Sequence, residues 1–181
     1  VFQNPDDQIF KYHVLDEVMF GPLNIGMKKE EAERHAREAL KEVGLENLAA
    51  ENPYDLELSE RKLVAIASVL AMDTRVLILD EPTIAQDWKG RQIIGGIIQR
   101  LEKQGRTVVA ILHDMDFVSE YFQRVIVMAR GQVLADGTRE AVFSRKEVLE
   151  KARIEEPSLM KFCKMLGYEK AYFQLKEGEE V

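Results

Sequence analysis

A chain of 181 residues has room for one domain with a subdomain, and its 46% hydrophobic content supplies a core. A net charge of −7 disfavours nucleic acid as a partner, because phosphate binding needs a basic face. The lone Cys163 excludes an internal disulfide and fits a reducing compartment, and the longest apolar stretch, 63–72, is interrupted by Ser68, far short of the roughly 20 residues that span a bilayer.

The chain opens on Val1 rather than methionine, and the natural chain is expected to begin upstream. No signal-peptide pattern is present. Residues 1–5 (Val-Phe-Gln-Asn-Pro) read as a strand end running into a turn, because the residue before a proline is pushed out of the helical region. Gln3 could place its amide where a strand meets a site, or be an ordinary turn residue. Residues 16–20 suggest a short helix stopped by Gly21-Pro22. Residues 28–43 form an amphipathic helix with Ala32, Ala36, Ala39, Leu40 and Val43 on one face. Glu30 with Arg34 and Glu33 with Arg37 are i,i+4 pairs in the favourable order. His35 falls between them and reads as solvated, and Gly44 ends the helix. Ser59 is the expected N-cap of the next helix, with Leu63, Ile66, Ala67 and Leu70 as its buried stripe. Such a helix start can bind an anion, or Ser59 is a plain cap.

The rest is organised around residues 76–79 (Val-Leu-Ile-Leu), an apolar run that reads as a strand buried on both faces. Asp80 and Glu81 stand at its C-terminal end, where open α/β sheets bind ligands. Adjacent side chains there point different ways, so the two carboxylates can take two tasks. Asp80 could hold Mg²⁺ as a hard oxygen ligand, and Glu81 could orient and deprotonate a water. The alternative is a solvated Asp-Glu pair at a loop start. Residues 86–104 read as a helix with Ile93, Ile94, Ile97, Ile98 and Leu101 facing inward, stopped by Gly105. Residues 107–112 are a second buried strand, with His113 at its end, level with Asp80 and Glu81 if the two strands are parallel neighbours. A helix over 114–122 follows. Residues 125–128 and 132–134 form a hairpin around Arg130-Gly131, closed by Asp136-Gly137. From 138 on the chain reads as amphipathic helices broken at Pro157, ending in a polar tail over 176–181. The alternation of strand and helix between 73 and 137 is half of a doubly wound α/β sheet, preceded by a helical insertion.

With these motifs in this order, the chain resembles the nucleotide-binding domain of ABC (ATP-binding cassette) transporters, most nearly the ATPases of energy-coupling-factor and cobalt/nickel importers. Residues 1–10 (Val-Phe-Gln-Asn-Pro-Asp-Asp-Gln-Ile-Phe) look like the Q-loop region, and 20–24 (Phe-Gly-Pro-Leu-Asn) like the segment after it. Residues 76–81 match the Walker B strand with its catalytic glutamate. Residues 84–87 (Ile-Ala-Gln-Asp) lie at the D-loop, with Asp87 matching and the middle residues unusual, and 111–114 (Ile-Leu-His-Asp) match the switch-histidine loop. The resemblance extends through 157–160 and implies part of a P-loop NTPase (RecA-like) core with an α-helical subdomain and C-terminal helices. The expected division is 1–72 for the Q-loop and helical subdomain, 73–137 for the ATPase half-core, and 138–181 for a helical extension.

The sequence departs from the family twice. No G-x-x-x-x-G-K-[ST] phosphate loop is present; in the family it lies upstream of the Q-loop. The signature glycines that follow Leu-Ser are also missing, since Leu58-Ser59 runs directly into Glu60-Arg61-Lys62. Those glycines let backbone approach phosphate, whereas Glu60 would bring a negative charge there. Either this chain is part of the natural protein, or its signature is degenerate.

The resemblance implies ATP and Mg²⁺ as cofactors, with Asp80 and Gln3 at the metal, Glu81 polarising the attacking water, and His113 on the γ-phosphate. Ser59 and Asp87 would act on ATP held by a second ABC ATPase subunit. An integral membrane transport subunit would hold the protein at the cytoplasmic face as a peripheral importer ATPase for a metal ion or vitamin. The 181 residues alone are expected to be inactive. Phe10, Tyr12, Phe20 and Leu23 are either core or anchors for the membrane partner. The helix over 28–43, with small apolar residues and mixed charges, does not suit lipid. A signature-degenerate subunit that hydrolyses little is one alternative. A soluble ABC ATPase of DNA repair or translation is another, but the chain is acidic and 4–58 carry no sustained heptads.

Overall fold

Three helices precede the first strand: α1 (Val14–Asn24), α2 (Lys29–Glu42) and α3 (Leu58–Leu70). They belong to the first of two compact units in this computed structural model, which describes residues 1–167; the units are Val1–Leu112 and the chain from His113 on. The small face of α2, Ala32, Ala36, Ala39 and Leu40, is buried where the three helices pack together. Small side chains let helix axes approach closely, which is why an alanine-rich face suffices. On the outer face Glu33 pairs with Arg37 as expected, but Arg34 pairs forward with Glu38 at 3.0 Å rather than back to Glu30. Both arrangements are one turn apart, so side-chain conformation selects between them.

Helix α1 corrects the stop expected at Gly21-Pro22, because it runs through both and ends at Asn24. Proline's fixed φ is helical, so its cost is one lost hydrogen bond and crowding, offset here by burial of the ring. Glu17 is buried in α1, and its carboxylate accepts the N–H groups of Phe10 and Lys11 at 3.0 and 2.9 Å. A buried carboxylate without such donors would be strongly unfavourable, so this helix also fixes the preceding loop.

Strand β1 (Val76–Asp80), helix α4 (Trp88–Lys103) and strand β2 (Thr107–Ile111) complete the unit. Ile94, Ile97, Ile98 and Leu101 of α4 are buried as the 3.6-residue period requires; Ile93 is half-buried. Arg100 of α4 makes a two-pronged ion pair with Glu42 at the end of α2. Burial on both faces of the strands is not observed. Leu77 and Leu79 of β1 are 4% and 1% exposed, but Val76 and Ile78 are 50% and 57% exposed. On β2, Val109 and Ile111 are likewise exposed, and Val108 and Ala110 are half-buried. Successive side chains of a strand point to opposite faces, and within this unit only one face is covered.

In the second unit, α5 (Met115–Tyr121) leads to the antiparallel hairpin β3 (Arg124–Ala129) and β4 (Gln132–Thr138), then α6 (Arg139–Phe143), α7 (Lys146–Ala152) and α8 (Ser158–Met165). Arg130 and Gly131 take φ of 50° and 74°, the two left-handed residues of a hairpin turn whose twist matches the strands. A bulge at Val127/Met128 shifts the register, and Asp136 and Gly137 lie inside β4 rather than closing it. Val127, Ala135, Val142 and Val148 form the core of the hairpin and its helices. Pro157 caps α8, and Ser158 ties that helix to α5 by donating from N and Oγ to the Asp116 carboxylate. The tail expected over 176–181 lies outside the described residues.

Candidate functional site

β1 and β2 pair in parallel, from Val76 opposite Thr107 to Asp80 opposite Ile111. Val1 lies along the edge of β1 opposite β2, held by two hydrogen bonds in the parallel pattern. Its amino nitrogen donates to Ile78 O at 2.8 Å, and its carbonyl accepts the Asp80 N–H at 3.1 Å. The expected strand end at Val1 is therefore present, and the chain leaves the sheet toward Gln3 at the end that carries Asp80. Gln3 lies in an exposed bend. Asp80 and Glu81 are both half-buried.

Glu81 has a φ of +43°, in the left-handed region. A residue with a Cβ pays about 1–2 kcal/mol there. Three hydrogen bonds hold the turn. The Glu81 N–H donates to Ile111 O at 3.0 Å, and its carbonyl accepts from Lys62 Nζ at 2.5 Å and Ile84 N at 3.3 Å. Ala85, in the same loop, is left-handed too, with φ of +62°. Such outliers persist only where surrounding structure imposes them, and they gather at functional loops. Lys62 is 1% exposed. Its burial pushes the ammonium below the usual lysine range, and the Glu81 and Asp80 carboxylates offset only part of that shift.

The start of α3 differs from expectation. Its N-cap is Glu57, not Ser59, which is already the second residue of the helix. Glu57 and Glu60 form a reciprocal capping box, with Glu60 Oε2 accepting the Glu57 N–H at 3.1 Å. A glutamate three residues beyond a capping carboxylate satisfies two end donors at once, whereas Ser59 would satisfy one. The helix start therefore holds two carboxylates, which oppose a further anion there. Ser59 presents its carbonyl to Gln86 Nε2 at 3.0 Å.

Asp87 caps α4 by accepting the Gly90 N–H at 2.7 Å. A Cβ on Gly90 would stand 2.0 Å from Gln86 Oε1, so the glycine makes room for the Gln86 side chain. Gly90→Ala is expected to displace Gln86 from Ser59 and to cost about 1 kcal/mol, the worth of a typical net hydrogen bond. Urea unfolding would measure it, and an unchanged midpoint would show that the Gln86 contact carries nothing.

Sequence reasoning missed two further side chains. Gln8 accepts the Phe2 N–H at 3.2 Å and donates to Ala65 O at 2.8 Å and Ser68 Oγ at 3.0 Å, so Gln8 rather than Gln3 anchors the loop to α3. Nothing in its local pattern marked it. Lys62 did carry a signal, since it lies one turn before Ile66 on the buried stripe. His113 is exposed and follows β2 by two residues; Asp114 caps α5 by accepting the Phe117 N–H at 3.0 Å.

Asp80, at the end of β1, has a carboxylate and Gln3, in the exposed bend after Val1, an amide oxygen, and both are hard oxygen donors of the kind Mg²⁺ takes. Among the described residues no cluster of three or more His, Cys, Asp or Glu could hold a metal.

A family profile described as ABC transporter matches residues 1–84. An energy-coupling factor transporter ATP-binding protein, EcfA of Methanocaldococcus jannaschii, is 43% identical over 92% of this chain and 60% of its own length. The chain belongs to the ABC transporter family of ATP-binding domains. EcfA2 of Streptococcus agalactiae is 41% identical over 93% of the chain and 60% of the relative. The structure of cbiO1 from Clostridium perfringens, described as part of the ABC transporter complex cbiONQ, superposes with a TM-score of 0.71 at 34% identity. That match covers 92% of this chain and 66% of cbiO1. A dimeric ATP-binding cassette bound to ADP and Pi matches with a TM-score of 0.67 at 30% identity, over 76% of this chain and 61% of the cassette. The chain therefore spans about 60% of the length of the curated ABC relatives, and its fold is that of the P-loop NTPase cassette.

Proposed function

We propose that this chain is part of the ATP-hydrolysing subunit of an ABC importer of energy-coupling-factor type, driving uptake of a metal ion such as cobalt or nickel, or of a vitamin. The observation that carries the proposal is the pair Asp80 and left-handed Glu81 at the end of a parallel strand, in a chain 43% identical to EcfA. Asp80 and Gln3 would hold Mg²⁺, which when bound neutralises charge on the phosphates. Glu81 orients the attacking water and takes its proton, and His113 contacts the γ-phosphate. Ser59 and Asp87 act on the nucleotide of a second ABC subunit, paired head to tail. Phosphoryl transfer asks a protein for positioning and electrostatics more than for covalent chemistry.

The membrane partner is proposed to dock on the loop and helix around Phe10, Tyr12, Phe20 and Leu23, which are 52%, 79%, 38% and 43% exposed. Phe10 and Phe20 pack edge to face, with the Lys11 ammonium over both rings. Among the described residues no helix is long and apolar enough to cross a membrane. Attachment at the cytoplasmic face would then depend on protein contacts.

A second reading has its own support. The Glu57–Glu60 capping box fills with carboxylates the helix start that would face the partner's γ-phosphate. That favours a subunit that binds nucleotide but turns it over slowly. One experiment separates the two readings. The full-length protein, expressed with the membrane subunits of its transporter, is expected to sediment with membranes and to hydrolyse ATP until EDTA removes the metal. Expressed alone, it should remain in the supernatant. ATP binding without measurable turnover would select the slow subunit, and tight sedimentation without any partner would overturn the attachment.

A further inference from the structure

We infer that Lys62 is a positioning residue for Glu81: its ammonium, buried in α3, grips the Glu81 carbonyl and holds the left-handed turn that sets the direction of the carboxylate. The inference deepens the reading of Glu81 as general base and rests on it.

Three observations carry it. The first is placement: Nζ lies 2.5 Å from Glu81 O, while the Lys62 side chain is 1% exposed. An ammonium withdrawn from water is unfavourable unless donors are matched to acceptors, so a lysine retained there has an energetic cost to justify. The second is the geometry it meets. Glu81 has a φ of +43°, a conformation that does not persist unaided in a residue with a Cβ. Its N–H is held by Ile111 O, and Lys62 holds the other end of the residue from the helix side. With backbone fixed on both sides of Cα, the direction of Cβ is fixed as well. The third is that α3 braces the neighbouring loops from the same helix. Gln8 ties the Phe2 loop to Ala65 and Ser68, and Gln86 ties the loop before α4 to Ser59. Lys62 is the member of this set that reaches the proposed base. Burial lowers its proton affinity, and the nearby Glu81 and Asp80 carboxylates offset only part of that.

A general base works only within hydrogen-bond reach of the proton it takes, so a turn that relaxes by about an ångström lowers turnover without altering nucleotide affinity. The test is Lys62→Met in the full-length protein, beside Glu81→Gln. The expected result is a kcat reduced at least tenfold, with KM for ATP and ATP affinity within threefold of the parent. A folded variant whose kcat stays within threefold, or whose kcat and KM deteriorate together, overturns the inference. If Lys62→Met does not fold, Lys62→Gln carries the same thresholds, because its side chain is one bond shorter and loses the carbonyl. Failure of both to fold would make Lys62 a stability residue only and would also overturn it. If Glu81→Gln keeps turnover, the reading of Glu81 is what fails. Lys62 is then judged by a crystal structure of Lys62→Met, in which departure of Glu81 from positive φ supports its positioning role and retention removes it.

Discussion

Glu81→Gln is expected to abolish ATP turnover in the full-length protein while leaving ATP binding unchanged. The amide nearly matches the carboxylate in shape but accepts no proton. A positioned general base contributes roughly 10²–10⁴ in rate, so turnover should fall by at least about a hundredfold, close to 2.7 kcal/mol of barrier. The backbone gives a reason to attribute that loss to chemistry. The hydrogen bonds to Ile111, Ile84 and Lys62 use the main chain of residue 81, and the substitution leaves them in place. Glutamine also meets a left-handed φ at much the same cost as glutamate. The variant should therefore melt within a few degrees of the parent. Steady-state hydrolysis and nucleotide binding measured on one preparation would check both halves. Turnover within about threefold of the parent would exclude Glu81 as the base, since a base contributes far more.

The strand end was legible in the sequence because it depends on local pattern. A short branched run followed by Asp-Glu-Pro has few other readings, and β1 forms over the expected 76–79 and runs one residue further, to Asp80. What surrounds the strand was less legible. An apolar run does not say which of its faces a given stretch of chain covers, so Val76 and Ile78 were expected to be buried and are not. The start of α3 was misread for a different reason. Serine's preference for caps points to Ser59, whereas the three-residue spacing of Glu57 and Glu60 places the boundary upstream. That spacing was available in the sequence. Gly21-Pro22 was read as a stop because proline usually ends helices, yet packing of its ring carries α1 two residues further. Lys62 and Glu17 illustrate what pattern reading reaches least well. Each is a charged residue buried because a particular backbone group stands opposite it, and that partner is distant or only loosely specified by sequence.

The 181-residue chain by itself is expected to bind ATP-Mg²⁺ weakly, with no site tighter than about millimolar, near −4 kcal/mol. Phosphates are held by cations and by free N–H groups at helix starts. Within the unit Val1–Leu112, Lys62, which reaches the sheet end, is already committed, with its Nζ on the Glu81 carbonyl. The nearby helix starts are occupied as well. Glu57 and Glu60 fill that of α3, and Asp87 takes the Gly90 N–H of α4. A polyphosphate approaching α3 would meet two carboxylates, and like charge there cancels the attraction of the helix dipole. Asp80 can contribute an oxygen to Mg²⁺, but a single carboxylate does not retain a strongly hydrated ion without phosphates fixed beside it. Titration calorimetry on the 181-residue chain would show small, unsaturated heats if these arguments hold. Adding EDTA should change little, since the metal has no firm site to leave. A dissociation constant near micromolar, about −8 kcal/mol, would instead require a phosphate cradle elsewhere in these residues and would move the nucleotide site away from Asp80 and Glu81.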